Sequence, residues 1–198
     1  MISLGDVRKN AFLRNNAIFF ASSMVVSFLN YVYYPVLGRL LSVESFGELQ
    51  VLVSFFMQMT VFITVLTLIS TNIIVNEKNS EKLNKTISEL EKLVLYVAYG
   101  ILLLVTLVSP LLKSSLQFES IWPFIIITLV FVAGIPLGFR TAYLRGKGDF
   151  TATSVEGILA SLAKLLASVA FVWVGLKTAG AAGGILVAQI IALAYATR

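Results

Sequence analysis

The chain contains neither cysteine nor histidine. Disulfides, thiol nucleophiles and Cys/His zinc sites are thereby excluded, as is imidazole acid–base chemistry. Aspartate occurs only at Asp6 and Asp149, far apart in sequence, which leaves little for a metal held by paired carboxylates. No metal site and no cofactor are expected. Charge is scarce altogether. Asp, Glu, Lys and Arg make up 13% of the residues against 58% hydrophobic, and the mean hydropathy is +0.92, more apolar surface than one soluble core of this size hides. The missing charge is missing in long runs. No ionisable residue lies between Arg14 and Arg39, Glu48 and Glu77, Lys92 and Lys113, Glu119 and Arg140, or Lys177 and Arg198.

Each run is long enough to cross a bilayer, whose hydrocarbon core of about 30 Å needs about 20 apolar residues at helical rise. Only a helix satisfies its own amides and carbonyls there, short of a closed barrel. The expected fold is all-α, a polytopic six-helix transmembrane bundle forming a single transmembrane domain over residues 1–198. Its spans are placed near 15–38, 49–75, 93–112, 120–143, 153–176 and 179–197. The basic N-terminus with its apolar run superficially looks like a secretory signal. However, the run outlasts a signal's apolar region and continues through Asn30 to Tyr34 without a small-residue cleavage site, so a retained first helix is expected. Segment 77–92 carries Leu83, Ile87 and Leu90 on one helical face and reads as a short helix lying in the headgroups or as a soluble connector. Residues 1–13 are similarly amphipathic and are expected to lie flat on the membrane.

The formal charge of +5 does not point to nucleic acid, because the cations sit in short loops between apolar runs. Arg8, Lys9, Arg14, Lys78, Lys82, Lys85, Lys92, Arg140, Arg145, Lys147 and Arg198 fall on one side of the six-span scheme, against Arg39, Lys113 and Lys177 on the other. The positive-inside rule then makes both termini and the second and fourth loops cytoplasmic, in a multi-pass protein of the cytoplasmic membrane.

Polar residues inside the runs form stripes at helical spacing. The first span has Asn16, Ser23, Ser27, Asn30 and Tyr34 on one face, the second Thr60, Thr64, Thr67 and Thr71. The fifth has Thr153, Gly157, Ser161, Lys164 and Ser168. Hydroxyl and small residues commonly mediate close helix packing in membranes; three such faces together also suit a shared hydrated cleft. A lysine near a span centre costs about 2.5–3.5 kcal/mol on insertion scales and usually faces a bundle interior or a watery cavity. Two readings of Lys164 are open, a cavity-facing cation and one that snorkels toward an interface or meets a structural partner. Glu156, about 12 Å away along the axis, is too far for a simple pair within the helix. Gly134, Pro136 and Gly138 of the fourth span, and Gly180, Gly184 and Ala188 of the sixth, read as close-packing or bending features.

The segment from Arg14 through Tyr33-Tyr34-Pro35 to Arg39-Leu40-Leu41-Ser42-Val43-Glu44-Ser45-Phe46-Gly47 resembles the first helix and first external turn of bacterial polysaccharide transporters, with their Arg-x-Leu-x-x-x-x-(Phe/Tyr)-Gly pattern. The turn Arg140-Thr-Ala-Tyr-Leu-Arg-Gly-Lys-Gly-Asp-Phe150 and the helix bearing Lys164 are similar as well. This is the O-antigen and exopolysaccharide flippase branch of the multidrug/oligosaccharidyl-lipid/polysaccharide exporter superfamily. The resemblance implies a transporter, not an enzyme, that flips polyprenyl-pyrophosphate-linked oligosaccharides. Its partners would be that glycolipid and membrane lipids. The implied substrate path puts Asn16, Ser23, Ser27, Asn30 and Tyr34 against sugar, Lys164 with Ser161 and Ser168 near the phosphates, and Arg39 and Arg140 at exit and loading. Family members have two lobes of helices, and this chain resembles the first, so a second lobe or a homodimer is expected to complete the cavity.

Other functions remain open. A cation-coupled multidrug exporter of the same superfamily generally needs an intramembrane carboxylate, and no Asp or Glu is expected deep in a span. A membrane enzyme acting on polyprenyl phosphates would need paired carboxylates or histidine. An inactive or scaffolding half-transporter is the third alternative.

Overall fold

The computed structural model describes residues 4–77 and 79–197, with side chains from residue 17 onward. It consists of six helices, α1 (Leu4–Leu40), α2 (Val43–Asn76), α3 (Ser80–Ser115), α4 (Trp122–Gly146), α5 (Phe150–Trp173) and α6 (Lys177–Ala196), with no strand among the described residues. All six are long and apolar enough to span a membrane. The protein is a multi-pass membrane protein.

Local chemistry sets the connections. Ser42 caps α2, its Oγ accepting from Ser45 N at 3.2 Å. Leu41 and Phe46 flank that cap at staple positions and pack on the cluster of Tyr33, Leu37 and Leu49. The Phe46 ring comes within 3.5 Å of where a Cβ on Gly38 would stand, which ties the Phe of the recurring pattern to the end of α1. After α4, Gly148 at φ 76° ends the helix with Asp149 N on Leu144 O and Gly148 N on Arg145 O, both 2.9 Å. After α5, Gly175 at φ 92° repeats the arrangement, with Leu176 N on Phe171 O at 3.1 Å and Gly175 N on Val172 O at 2.9 Å. Both are Schellman endings, which need a left-handed residue.

These signals shift three of the expected spans. The second helix starts at 43 where 49 was expected, because Ser42 caps it. The fourth helix is 122–146 where 120–143 was expected, because Pro123 fits its first turn and no breaker precedes Gly148. The fifth is 150–173 where 153–176 was expected, because Asp149 caps it, accepting from Ala152 N at 2.9 Å, and Gly175 stops it. Segment 77–92 is not a separate surface helix. Asn79 caps at its Oδ1, and α3 then runs unbroken through Lys92, with Ile87 and Leu90 packed on the cluster of Phe131, Ile135 and Phe139. At 36 residues α3 is about 54 Å long, so it extends well beyond a hydrocarbon core. Residues 4–13 likewise continue α1 rather than forming a segment of their own.

Helix α4 sits at the centre, packed by α2, α3 and α6, while α6 also packs α5 and α5 carries α1. Small residues make the close seams. A Cβ on Gly138 would fall 2.9 Å from Ile63 Cγ2 and one on Gly146 2.6 Å from Ile74 Cγ2, so α4 presents a glycine face to α2. On α6, a Cβ on Gly184 would collide with the backbone of Ser168, and one on Gly180 would lie 3.0 Å from the Phe171 carbonyl carbon. Helices α1 and α2, although consecutive, touch little beyond their turn. They stand apart over a platform of α5 and α6, and the gap between them is a cleft.

At the Arg39 end, the loops are clasped. Glu48 accepts from Thr178 Oγ1 at 2.6 Å and from Glu119 N at 2.7 Å, and Lys177 Nζ lies 2.7 Å from Glu119 Oε2.

Candidate functional site

The cleft is where the ammonium of Lys164 emerges. Its Nζ contacts Asn30 Oδ1 and stands 4.5 Å from the centroid of the Tyr33 ring. The side chain therefore turns toward α1, where Asn30 is a partner on another helix as one reading expected, and borders the cleft as the other expected. Among the described residues no carboxylate lies within ion-pair distance of it. Its partners are a carbonyl oxygen and an aromatic face, both attractive to a cation and neither able to neutralise it. Tyr33 is held in place by burial among Leu37, Leu49 and Val172, and its hydroxyl is 3.5 Å from Ser168 Oγ. Ser168 itself donates to Ala181 O at 3.0 Å. It stiffens the α5–α6 seam behind the ammonium.

Two cavities meet at Lys164. One of about 360 Å³ is lined by Asn30, Tyr34, Phe56 and Thr60; a smaller one of about 160 Å³ by Ser161 and Gln189. Gln189 and Thr60 also border a third, of about 350 Å³, along which Thr64, Thr67 and Thr71 of α2 are arrayed. Thr64, Thr67 and Thr71 each donate to the carbonyl four residues back, leaving their oxygen lone pairs available as acceptors. Glu156 closes this groove at the Arg145 end. It is 8% exposed, and its Oε2 accepts from Thr141 Oγ1 at 3.0 Å. Its place in the second turn of α5 is near the helix start, as the sequence suggested; its burial was not expected and comes from its contact with Thr141 of α4.

Of the residues expected along a substrate path, the structure brings Asn30, Tyr34, Ser161 and Lys164 to one cleft. Ser23 and Ser27 line a separate cavity between α1 and α5. The side chain of Asn16 lies outside the described residues. Arg39 is exposed at the end of α1. Arg140 faces the other flank of α4, bordering a cavity with Glu91 and Tyr143 under α3. Neither arginine meets Lys164.

Tyr33 and Gln189 were missed from sequence. Tyr33 is one residue off the polar stripe of α1, and its ring serves by its face, which spacing of polar atoms does not reveal. Gln189 is a half-buried amide in the middle of an otherwise apolar span, and that isolation was the available signal.

The arrangement is an open groove with the unpaired Lys164 at one end, Arg145 and the Thr141-bonded Glu156 at the other, hydroxyl and amide acceptors between them, and no metal-ligating cluster among the described residues. It suits binding of an anion joined to a polar, uncharged body. A family model described as polysaccharide biosynthesis protein matches residues 12–198. No curated protein and no solved structure gives a significant match. With that match running through all six membrane-spanning helices, the chain belongs to the polysaccharide biosynthesis protein family.

Proposed function

We propose that the protein is a transporter, not an enzyme, that flips polyprenyl-diphosphate-linked oligosaccharides across the cytoplasmic membrane, with both termini in the cytoplasm. The observation that carries this reading is the ammonium of Lys164, facing an open cleft with no carboxylate beside it. A diphosphate brings the missing negative charge, and the attraction is far stronger in a low-dielectric cleft than in water. The saccharide would then lie along Asn30, Tyr34 and the threonines of α2, while the polyprenyl tail stays in the bilayer. A second lobe or a second copy of the chain would face the cleft, as in transporters that bind between repeats.

Replacing Lys164 by Met keeps the apolar stem and removes the charge. Surface polysaccharide in the producing strain should fall sharply at unchanged protein level in the membrane. Export at the original level would return Lys164 to a structural role and remove the basis of the reading. Glu156 favours a second reading, a cation-coupled exporter, since it supplies a buried intramembrane carboxylate. Under that reading Glu156→Gln abolishes transport and Lys164→Met does not.

A further inference from the structure

The cavity that holds Ser23 and Ser27 lies between α1 and α5, at the end of the bundle where α4 turns into α5, and measures about 220 Å³. Its polar lining comes from Ser22, Ser23, Ser27, Arg145, Thr153 and Ser154, and no carboxylate borders it. The free hydrogens in it can be counted. Ser22 donates to Ile18 O, Ser23 to Phe19 O and Thr153 to Asp149 O, so those donors are already used. Ser154 is 5% exposed and its hydroxyl has no partner. Among the described residues Ser27 and the Arg145 guanidinium make no hydrogen bond or ion pair either. Arg145 also borders the neighbouring groove together with Glu156, which feels its charge but is bonded to Thr141 and forms no ion pair with it.

A buried hydroxyl left without a partner is costly and calls for an explanation. Here it sits beside a guanidinium and a second free hydroxyl, near the positive end of the α5 dipole. Three donor groups line it, and the one carboxylate acting with Arg145, Glu156, is bonded to Thr141 and lies outside the cavity; such a set defines an anion site, and a guanidinium favours the forked geometry of phosphate oxygens. We infer that the Arg145–Ser27–Ser154 cavity binds a phosphate group, as a second anion station about 15 Å along α5 from Lys164. As a first stop for the transported diphosphate it rests on the reading above; as a phosphate site it stands without it.

The chain in phosphatidylcholine nanodiscs is titrated with inorganic pyrophosphate. Wild type should show two saturable sites, and Lys164→Met should leave one. In that background Ser154→Ala should weaken the remaining site about tenfold, and Arg145→Gln should weaken it at least as much. Ser154→Ala deletes an unpartnered group, so an unchanged Tm separates lost binding from lost folding. Should Lys164→Met abolish all binding, the Arg145 station falls while the role of Lys164 stands. Should binding instead survive Lys164→Met undiminished and vanish in Arg145→Gln and Ser154→Ala, the station stands and the role of Lys164 falls. Doping the discs with phosphatidylglycerol tells the sources apart. Displacement of pyrophosphate marks a headgroup site and undiminished binding a soluble-phosphate site, and both support the inference. Binding to the Lys164→Met protein that is indifferent to Ser154 and Arg145 overturns it.

Discussion

At the scale of single residues, the ring of Tyr33 distinguishes holding a cation from simply filling space. Tyr33→Phe keeps the face beneath Lys164 Nζ and loses only a long 3.5 Å contact to Ser168. Tyr33→Leu removes the face. Cation–π attraction of about 1 kcal/mol corresponds to about fivefold in affinity. Pyrophosphate binding to the Lys164 site should therefore be near wild type in the Phe variant and changed several-fold in the Leu variant, read by the same titration. Equal behaviour of the two would mean the ring only packs. That the α5 face bearing Lys164 turns to other helices was legible from sequence, because hydroxyl and small residues three and four apart marked it, whereas the choice between a cavity and a partner on another helix was not, and Lys164 has both. Ser168, on that same face, was read as path and turns out to be seam. The stripe gives a direction, and whether a residue on it meets water or a neighbouring helix depends on how closely that helix approaches.

At the scale of helices, the glycines divide into those that set a distance and those that do not. Gly184 lies against Ser168, so Gly184→Ala must push α6 off α5 at a cost of about 1–3 kcal/mol. At Gly100 nothing lies within 4 Å of an added Cβ, and Gly100→Ala should stabilise by about 0.5–1 kcal/mol through helix propensity alone. Thermal unfolding in detergent should move in opposite directions for the two. The loop clasp is a further test of hierarchy. Glu48 carries two hydrogen bonds between segments, so Glu48→Ala should cost about 2 kcal/mol. The exposed Lys177–Glu119 pair should leave Tm unchanged when Lys177 becomes Ala. The existence of all six helices was readable, since a bilayer permits few alternatives; the Gly134–Gly138 and Gly180–Gly184 faces were read as close-packing or bending features, and their glycines lie in close contact with neighbouring helices. Helix ends were less readable. Lys92 looked like a boundary because charge stops there, but a backbone ends at caps and left-handed residues, and none interrupts α3 between Asn79 and Gln117.

For the whole molecule, the absence of cysteine makes orientation directly testable, since any introduced thiol is the only one. Lys85 and Ser115 are exposed near opposite ends of α3. With cytoplasmic termini, Ser115→Cys should react with a membrane-impermeant maleimide in intact cells, and Lys85→Cys only after permeabilisation. The opposite pattern would invert the topology. Which helices neighbour which was not readable from the chain, because apolar runs of similar composition carry no record of their partners. Consecutive order would have set α1 beside α2, yet each leans on a different partner, α1 on α5 and α2 on α4. That separation has a mechanical result. Beyond the Arg39 end, where Tyr33 and Leu37 share a cluster with Leu49 and Val53, the two walls share almost no packing and can be spread without breaking contacts between them, so the aperture they frame is governed by the footing on which each stands. Under the proposed reading such a frame would admit cargo of differing girth at small energetic penalty, while the glycine-locked floor beneath keeps Lys164 in register.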